Sequence, residues 1–130
     1  MFQRLEIAAP LTGVSTCRAF FADCVAAGED SLWVAFLDGG ARCIHLARFP
    51  RDARRGAWPI RRIIQRAAEL ESAGLVVAKR DGDAPATAVR NNEATARHLA
   101  LAAEAVGVVL LDHLVFTRGD CTSMRRAGVL

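Results

Sequence analysis

Apolar positions along the chain change period several times, and each change marks an expected element. Val14, Cys17, Phe21, Cys24 and Val25 recur at helical spacing behind Thr12 and Gly13, so a first amphipathic helix is expected from about residue 13 to Gly28. Ser31 to Leu37 concentrates aliphatic, β-branched and aromatic side chains, and Asp38-Gly39-Gly40 then breaks the run. A second strand around Arg42 to Phe49 completes an expected hairpin. A charged loop, Pro50 to Trp58, precedes Ile60, Ile63, Ile64, Ala67 and Leu70, which mark one face of a second helix opening near Pro59 and ending at Gly74.

Leu75-Val76-Val77-Ala78 is apolar without alternation, as expected of a strand covered on both faces. Lys79 to Asn92 holds Asp81, Gly82, Asp83, Pro85 and two Asn, and reads as a loop. Thr95, Leu99, Ala102, Ala103 and Val106 trace a third helix ending at Gly107. Val108 to Phe116 is another strand, its apolar run broken by Asp112 and His113, and Arg118-Gly119-Asp120 turns the chain into a final short strand or tail. This order predicts an α/β sandwich around a mixed sheet, without internal repeats.

At 130 residues and 52% apolar content the chain suffices for one core, so a single domain over residues 1–130 is expected. A charged fraction of 24%, with ten Gly and four Pro, excludes the disordered and collagen-like classes. The longest apolar runs, Val106 to Leu111 and Leu75 to Ala78, fall far short of the roughly 20 residues of a membrane-spanning helix. Met-Phe-Gln-Arg-Leu-Glu-Ile at the start lacks the pattern of a secretory signal, which gives the expectation of a cytoplasmic protein with no membrane partner. Cys17, Cys24, Cys43 and Cys121 form neither a C-x-x-C pair nor a zinc-finger spacing, and are expected to be reduced, mostly buried thiols.

The net charge is +3, modest for a nucleic-acid binder. Basic residues are almost all Arg, Lys79 being the single Lys. Arg48, Arg51, Arg54, Arg55 and Arg61 lie close together in a segment that also carries Phe49 and Trp58. They make a candidate anion or nucleic-acid patch, with a solvated loop as the plainer alternative. His45 is expected on the more polar face of its strand, and His98 exposed or partly packed on its helix. Trp33 and Trp58 are expected to be packing residues.

Gly107-Val108-Val109-Leu110-Leu111-Asp112-His113-Leu114-Val115-Phe116, followed by Ser123, Arg126 and Gly128-Val129-Leu130, resembles the C-terminal signature of the RadC family, which has the JAB/MPN metalloprotease-like fold. Leu32 to Asp38 resembles the family's first strand, and Ile60 to Ala78 its helix and strand leading into the active-site loop, so the resemblance runs from about residue 10 to 130 without gaps. It implies a JAB/MPN-like (cytidine-deaminase-like) α/β sandwich with a mixed β-sheet flanked by about three helices. The N-terminal helix-hairpin-helix region of full-length RadC proteins is not expected within these residues.

The resemblance also implies a site. The family holds zinc with a His-x-His pair and an Asp thirteen residues after the first His, places a Ser three residues before that Asp, and uses a distant Glu as general base. Three ligands leave the fourth zinc position to a water whose pKa falls toward about 7. Aligned without gaps from Asp112, the His positions hold Lys79 and Asp81, the Ser position Val89 and the Asp position Asn92, while the Glu position falls on Asp30 beside Glu29. A charged ammonium has no lone pair for zinc and Asn is a weak ligand, so no zinc and no other cofactor is expected. Several arrangements remain open. Lys79, Asp81 and Asp83 can sit with Asp30 around the pocket, Lys79 replacing the metal's charge and pairing with Asp30 or Asp81; Lys and Asp side chains can form a new hydrolytic site; Asp81, Asp83 and Asn92 can form a hard-cation site; or the segment can be a plain solvated loop. His113 is expected in a structural hydrogen bond.

The functional expectation is a catalytically inactive RadC-like domain acting through binding or scaffolding, linked by its family to DNA repair or mobile-element processes. The alternative is a metal-dependent, metalloprotease-like hydrolase with an altered site. An unidentified protein partner or a homodimer is expected, with nucleic acid as a less supported partner.

Overall fold

A computed structural model describes residues 10–25, 30–52 and 57–130. The elements are α1 (Val14–Val25), β1 (Ser31–Leu37), β2 (Cys43–Pro50), α2 (Ile60–Glu69), β3 (Gly74–Arg80), α3 (Pro85–Glu104), β4 (Val109–Thr117) and β5 (Asp120–Ser123). The five strands form one mixed sheet in the order β2-β1-β3-β4-β5. β1 runs antiparallel to β2 and β3, β4 is parallel to β3, and β5 is antiparallel to β4. The parallel pair needs a long crossover, which α3 supplies.

Helices cover both faces. Cys17, Phe21 and Val25 of α1 pack with Leu11 on Ala35, Leu37, Cys43, Val76, Ala78 and Leu114. On the other face, Ile63 and Ala67 of α2 and Leu99 and Ala103 of α3 pack on Leu32, Val34, Phe36, Leu75, Val77 and Leu110. This double cover explains why β1 and β3 read as continuous apolar runs: every position from Gly74 to Lys79 is buried. The α/β sandwich with three helices about a mixed sheet agrees with the fold expected from the sequence.

Three boundaries differ. α2 ends at Glu69, short of the expected Gly74, which instead opens β3, while the expected end of α1 at Gly28 lies outside the described residues. β3 continues through Lys79 to Arg80, so Lys79 belongs to the strand and not to the following loop. The largest difference is α3, which begins at Pro85, ten residues before the expected start at Thr95. Its buried stripe is Ala88, Asn92, Ala96, Leu99 and Ala103, small side chains and one amide that carry little apolar signal in the first two turns. Pro85, read as a loop marker, is instead the helix opener, where its missing N–H has no intrahelical role. At the far end Gly107, at φ +76°, takes the left-handed conformation that turns the chain into β4.

Candidate functional site

The C-terminal end of β3 and the first two turns of α3 converge on one place. Asp81 follows β3, and its Oδ1 accepts the Asp83 N–H at 2.9 Å, closing a tight turn. Its Oδ2 accepts Nδ2 of Asn92 at 2.9 Å and Nδ2 of Asn91 at 3.4 Å. Asn92, buried, also donates to the Ala88 carbonyl at 2.7 Å, and Asn91 donates to Asp83 at 2.6 Å. The carboxylate thus ties the short loop to the helix. Burial raises the Asp81 pKa, but the hydrogen bonds from Asp83, Asn92 and Asn91 and the Lys79 charge outweigh it and hold the group below its ordinary value.

Lys79 is 7% exposed. Its Nζ donates to the Arg80 carbonyl at 3.1 Å and lies 5.5 Å from the centre of the Trp58 ring. Burial pushes the ammonium pKa down, and Arg51 adds to this; the Asp81 and Asp30 charges oppose the shift without reversing it. The expected pairing of Lys79 with Asp30 or Asp81 is not what the structure contains. Asp30 Oδ2 meets Arg51 Nε at 3.1 Å. Asp81 is held by amides, and no described carboxylate lies within ion-pair distance of Lys79.

Arg51 stacks with its Cζ 4.4 Å from the Trp58 ring centre, so two cations share one indole. Arg51, Trp58, Lys79, Asp81, Asn92 and His98 line a cavity of about 540 Å³ together with Ile60 and Thr95. Trp58 is therefore both a packing residue and part of a cavity wall. His98 is exposed, as expected, and overhangs the same space.

Of the described members of the arginine patch, Arg48 stands apart from Arg51 and Arg61. Arg48 pairs across the strands with Trp33 and donates to Ser31 Oγ at 3.2 Å, which puts it on the α1 side of the sheet. Arg51 and the exposed Arg61 lie on the opposite side around Trp58. Arg54 and Arg55, like Glu29, lie outside the described residues.

The family profile of the RadC-like JAB domain matches residues 11–129. The chain belongs to the RadC-like JAB domain family. Among curated proteins none matches the chain.

In a RadC-like JAB domain, positions 79, 81, 89 and 92 are those expected to surround the zinc. The fold still brings three of them together, since Lys79, Asp81 and Asn92 line one cavity. Val89 turns away, packing on the cluster of Ala88, Ala96, Val115 and Met124. The donors present do not fit zinc. Lys79 offers N–H groups and no lone pair, the Asn92 amide nitrogen points at Asp81, and both Asp81 oxygens already accept hydrogen bonds. Among the described residues no three His, Cys, Asp or Glu side chains converge as a ligand set. The hard-cation arrangement meets the same difficulty, because Asp81 and Asp83 face the Asn91 amide.

Asp112 and His113 divide the role expected of His113. Asp112 Oδ1 accepts the His113 and Arg125 N–H groups at 2.8 and 3.1 Å, and Oδ2 accepts Ser123 Oγ at 2.5 Å. The carboxylate thereby fixes the turn after β5. The His113 ring, fully buried under α3, has no hydrogen-bond partner for either nitrogen among the described residues. The structural hydrogen bond expected of its side chain is absent there; only its backbone groups are paired, with Asp112 and Met124. Burial, with the Lys79 charge, lowers its pKa to about 4, so the ring is neutral at pH 7.

His45 also departs from expectation. It is half-buried against Phe36, with ring centres 5.8 Å apart, and its Nε2 lies 3.4 Å from an Arg66 nitrogen. In step with Ala47 and Phe49 it stands opposite Phe36 on the α2 face of the sheet, before the bulge between Phe36 and Leu37. Cys17 and Cys43 are buried, whereas Cys24 and Cys121 are half-buried, and all four are free thiols.

Sequence reasoning missed Trp58, Asn91, Thr95 and His98 as cavity residues. The signal for Asn91 lay in Asp81-x-Asp83 followed by paired amides, once that segment is recognised as helical.

Proposed function

We propose that this RadC-like JAB domain works by binding rather than by zinc-dependent hydrolysis, as a scaffold or regulatory subunit in DNA-repair or mobile-element processes. The observation that carries this reading is the Lys79 ammonium, buried where the first zinc ligand of the family would stand, beside an Asn92 that offers an amide in place of a carboxylate and donates its nitrogen to Asp81. A fold retained without its chemistry keeps its surfaces and cavities as the means of action. The family's association with DNA repair supplies the process, and a partner protein or second copy of the chain supplies the scaffolded component. The alternative hydrolase would need oxygen ligands that Asp81 has already committed to Asn91, Asn92 and Asp83.

Direct nucleic-acid binding has weaker support, because the sheet separates Arg48 from Arg51 and Arg61. A steep fall in DNA affinity with salt, lost when Arg51, Arg54 and Arg55 become Ala, would establish it. No binding at low salt would end it.

Metal content tests the main reading. After exposure to zinc and dialysis, the purified protein should hold less than about a tenth of an equivalent. A variant combining Lys79→His, Asp81→His and Asn92→Asp should approach one equivalent. A full equivalent in the natural sequence that disappears in Asn92→Ala would overturn the proposal.

A further inference from the structure

The cavity at Lys79 continues into a second one. Trp58, Ile60 and His98 line both, and the second, of about 430 Å³, runs on over Ile64 and Ala102 between α2 and α3. Together they make a trough with a polar end at Lys79 and an apolar end at Ile64. Its size falls in the range of small-molecule sites.

The polar end is short of negative charge. Arg51 and Lys79 face it with Asp81 as the one described carboxylate in the wall. Asp81 is satisfied by three N–H donors, and Arg51 is paired with Asp30. Among the described residues Lys79 keeps a single hydrogen bond, to the Arg80 carbonyl. Its other N–H groups belong to a residue that is only 7% exposed and that lines the cavity. A buried ammonium with no described carboxylate at ion-pair distance is costly, and an oxyanion placed against it would offset that cost. The apolar end, with Trp58, Ile60 and Ile64, would cover a hydrocarbon body attached to that anion.

Resting on the reading that the zinc position is no longer a metal site, we propose that the trough binds a small amphipathic organic acid. Its carboxylate or phosphate monoester head lies at Lys79, and its apolar body runs along Trp58, Ile60 and Ile64. Lys79 stands in for the metal as the positive charge of the pocket, and binds where the family hydrolyses.

The test titrates ¹⁵N-labelled protein with 4-phenylbutyrate, 2-phenylethyl phosphate and the uncharged 4-phenylbutanamide, each with and without EDTA. At the ligand efficiency of small molecules, an acid of about a dozen heavy atoms should bind with a Kd of about 1–3 mM. The perturbed signals should cluster at the Trp58 indole, Lys79 and His98. The amide should bind at least about tenfold more weakly, since it lacks the charged contact. Whichever acid binds more tightly assigns the head group. Lys79→Gln should lose about tenfold in affinity while Lys79→Arg keeps most of it. If Lys79→Gln fails to fold, the acid-to-amide ratio in the natural protein decides. Binding of neither acid to about 20 mM, equal binding of acid and amide, or shifts centred elsewhere would overturn the trough and leave the non-hydrolytic reading standing. Acid binding abolished by EDTA would place a metal in the pocket and overturn both.

Discussion

His113 offers the sharpest test of how the core is built. Its ring is fully buried with both nitrogens unpartnered among the described residues, and its pKa is lowered from 6.5 to about 4. In the unfolded chain the imidazole takes up a proton below its ordinary pKa, while the native ring stays neutral until about pH 4. Between those values the unfolded state binds more protons, so stability is present above pH 6.5 and is lost as pH falls toward 4. Two-state linkage gives a loss of about 2 kcal/mol between pH 8 and pH 5 for this one group. For 130 residues that corresponds to about 7 °C in melting temperature. His113→Leu removes the titration at nearly constant volume and deletes two buried polar atoms, each costing about 1–3 kcal/mol when unpaired. The variant should therefore be at least as stable as the natural protein at pH 8 and about 2 kcal/mol more stable relative to it at pH 5. Urea denaturation of both proteins at each pH measures this, and the other titrating groups cancel in the difference. If the stability difference between the two proteins is the same at pH 8 and pH 5 within about 0.5 kcal/mol, the buried neutral ring is the wrong description.

Lys79→Met should stabilise the empty domain by about 1–2 kcal/mol at pH 7, because it removes a buried charge that lacks a described carboxylate within ion-pair distance. Since the native pKa lies below 10.5, the unfolded state holds the proton longer; the gain should shrink as pH rises toward 10.5, as denaturation at pH 7 and pH 10 would show. Asp112→Ala should cost about 2–4 kcal/mol by freeing the Ser123, His113 and Arg125 donors, with amide exchange accelerating first over residues 123–128. Burial raises the pKa of Cys17 and Cys43 to about 11, so a thiol reagent at pH 8 should leave both unmodified in the native protein and reach all four cysteines in denaturant.

The sequence alone carried the architecture because burial on two faces leaves a plain trace. Continuous apolar runs at Ser31–Leu37 and Gly74–Ala78, with helical stripes at Val14–Val25 and Ile60–Glu69, could be read as a covered sheet and its helices. The Leu-Leu-Asp-His stretch pointed to the family that the match over residues 11–129 shows. The donor types of Lys79, Asp81 and Asn92 were equally visible, since residue identity decides whether a lone pair exists.

Tertiary structure decided everything that depends on which groups meet. The first turns of α3 were hidden because Ala88, Asn92 and Ala96 bury little apolar surface, yet their position aims Asn92 at Asp81. The partners of the charged groups were likewise not legible. Asp30 pairs with Arg51 and Asp81 with three N–H donors, leaving Lys79 buried between them. Lys79 and Asp81, two positions apart, and Trp58 and His98, forty apart, acquire a common cavity only once the sheet twists and the helices dock. Residue type thus determined which donor atoms stand at the end of β3, and the packing of β3 against α3 and Trp58 determined how they are partnered, because electrostatic partnership depends on distance and burial, which sequence spacing does not specify.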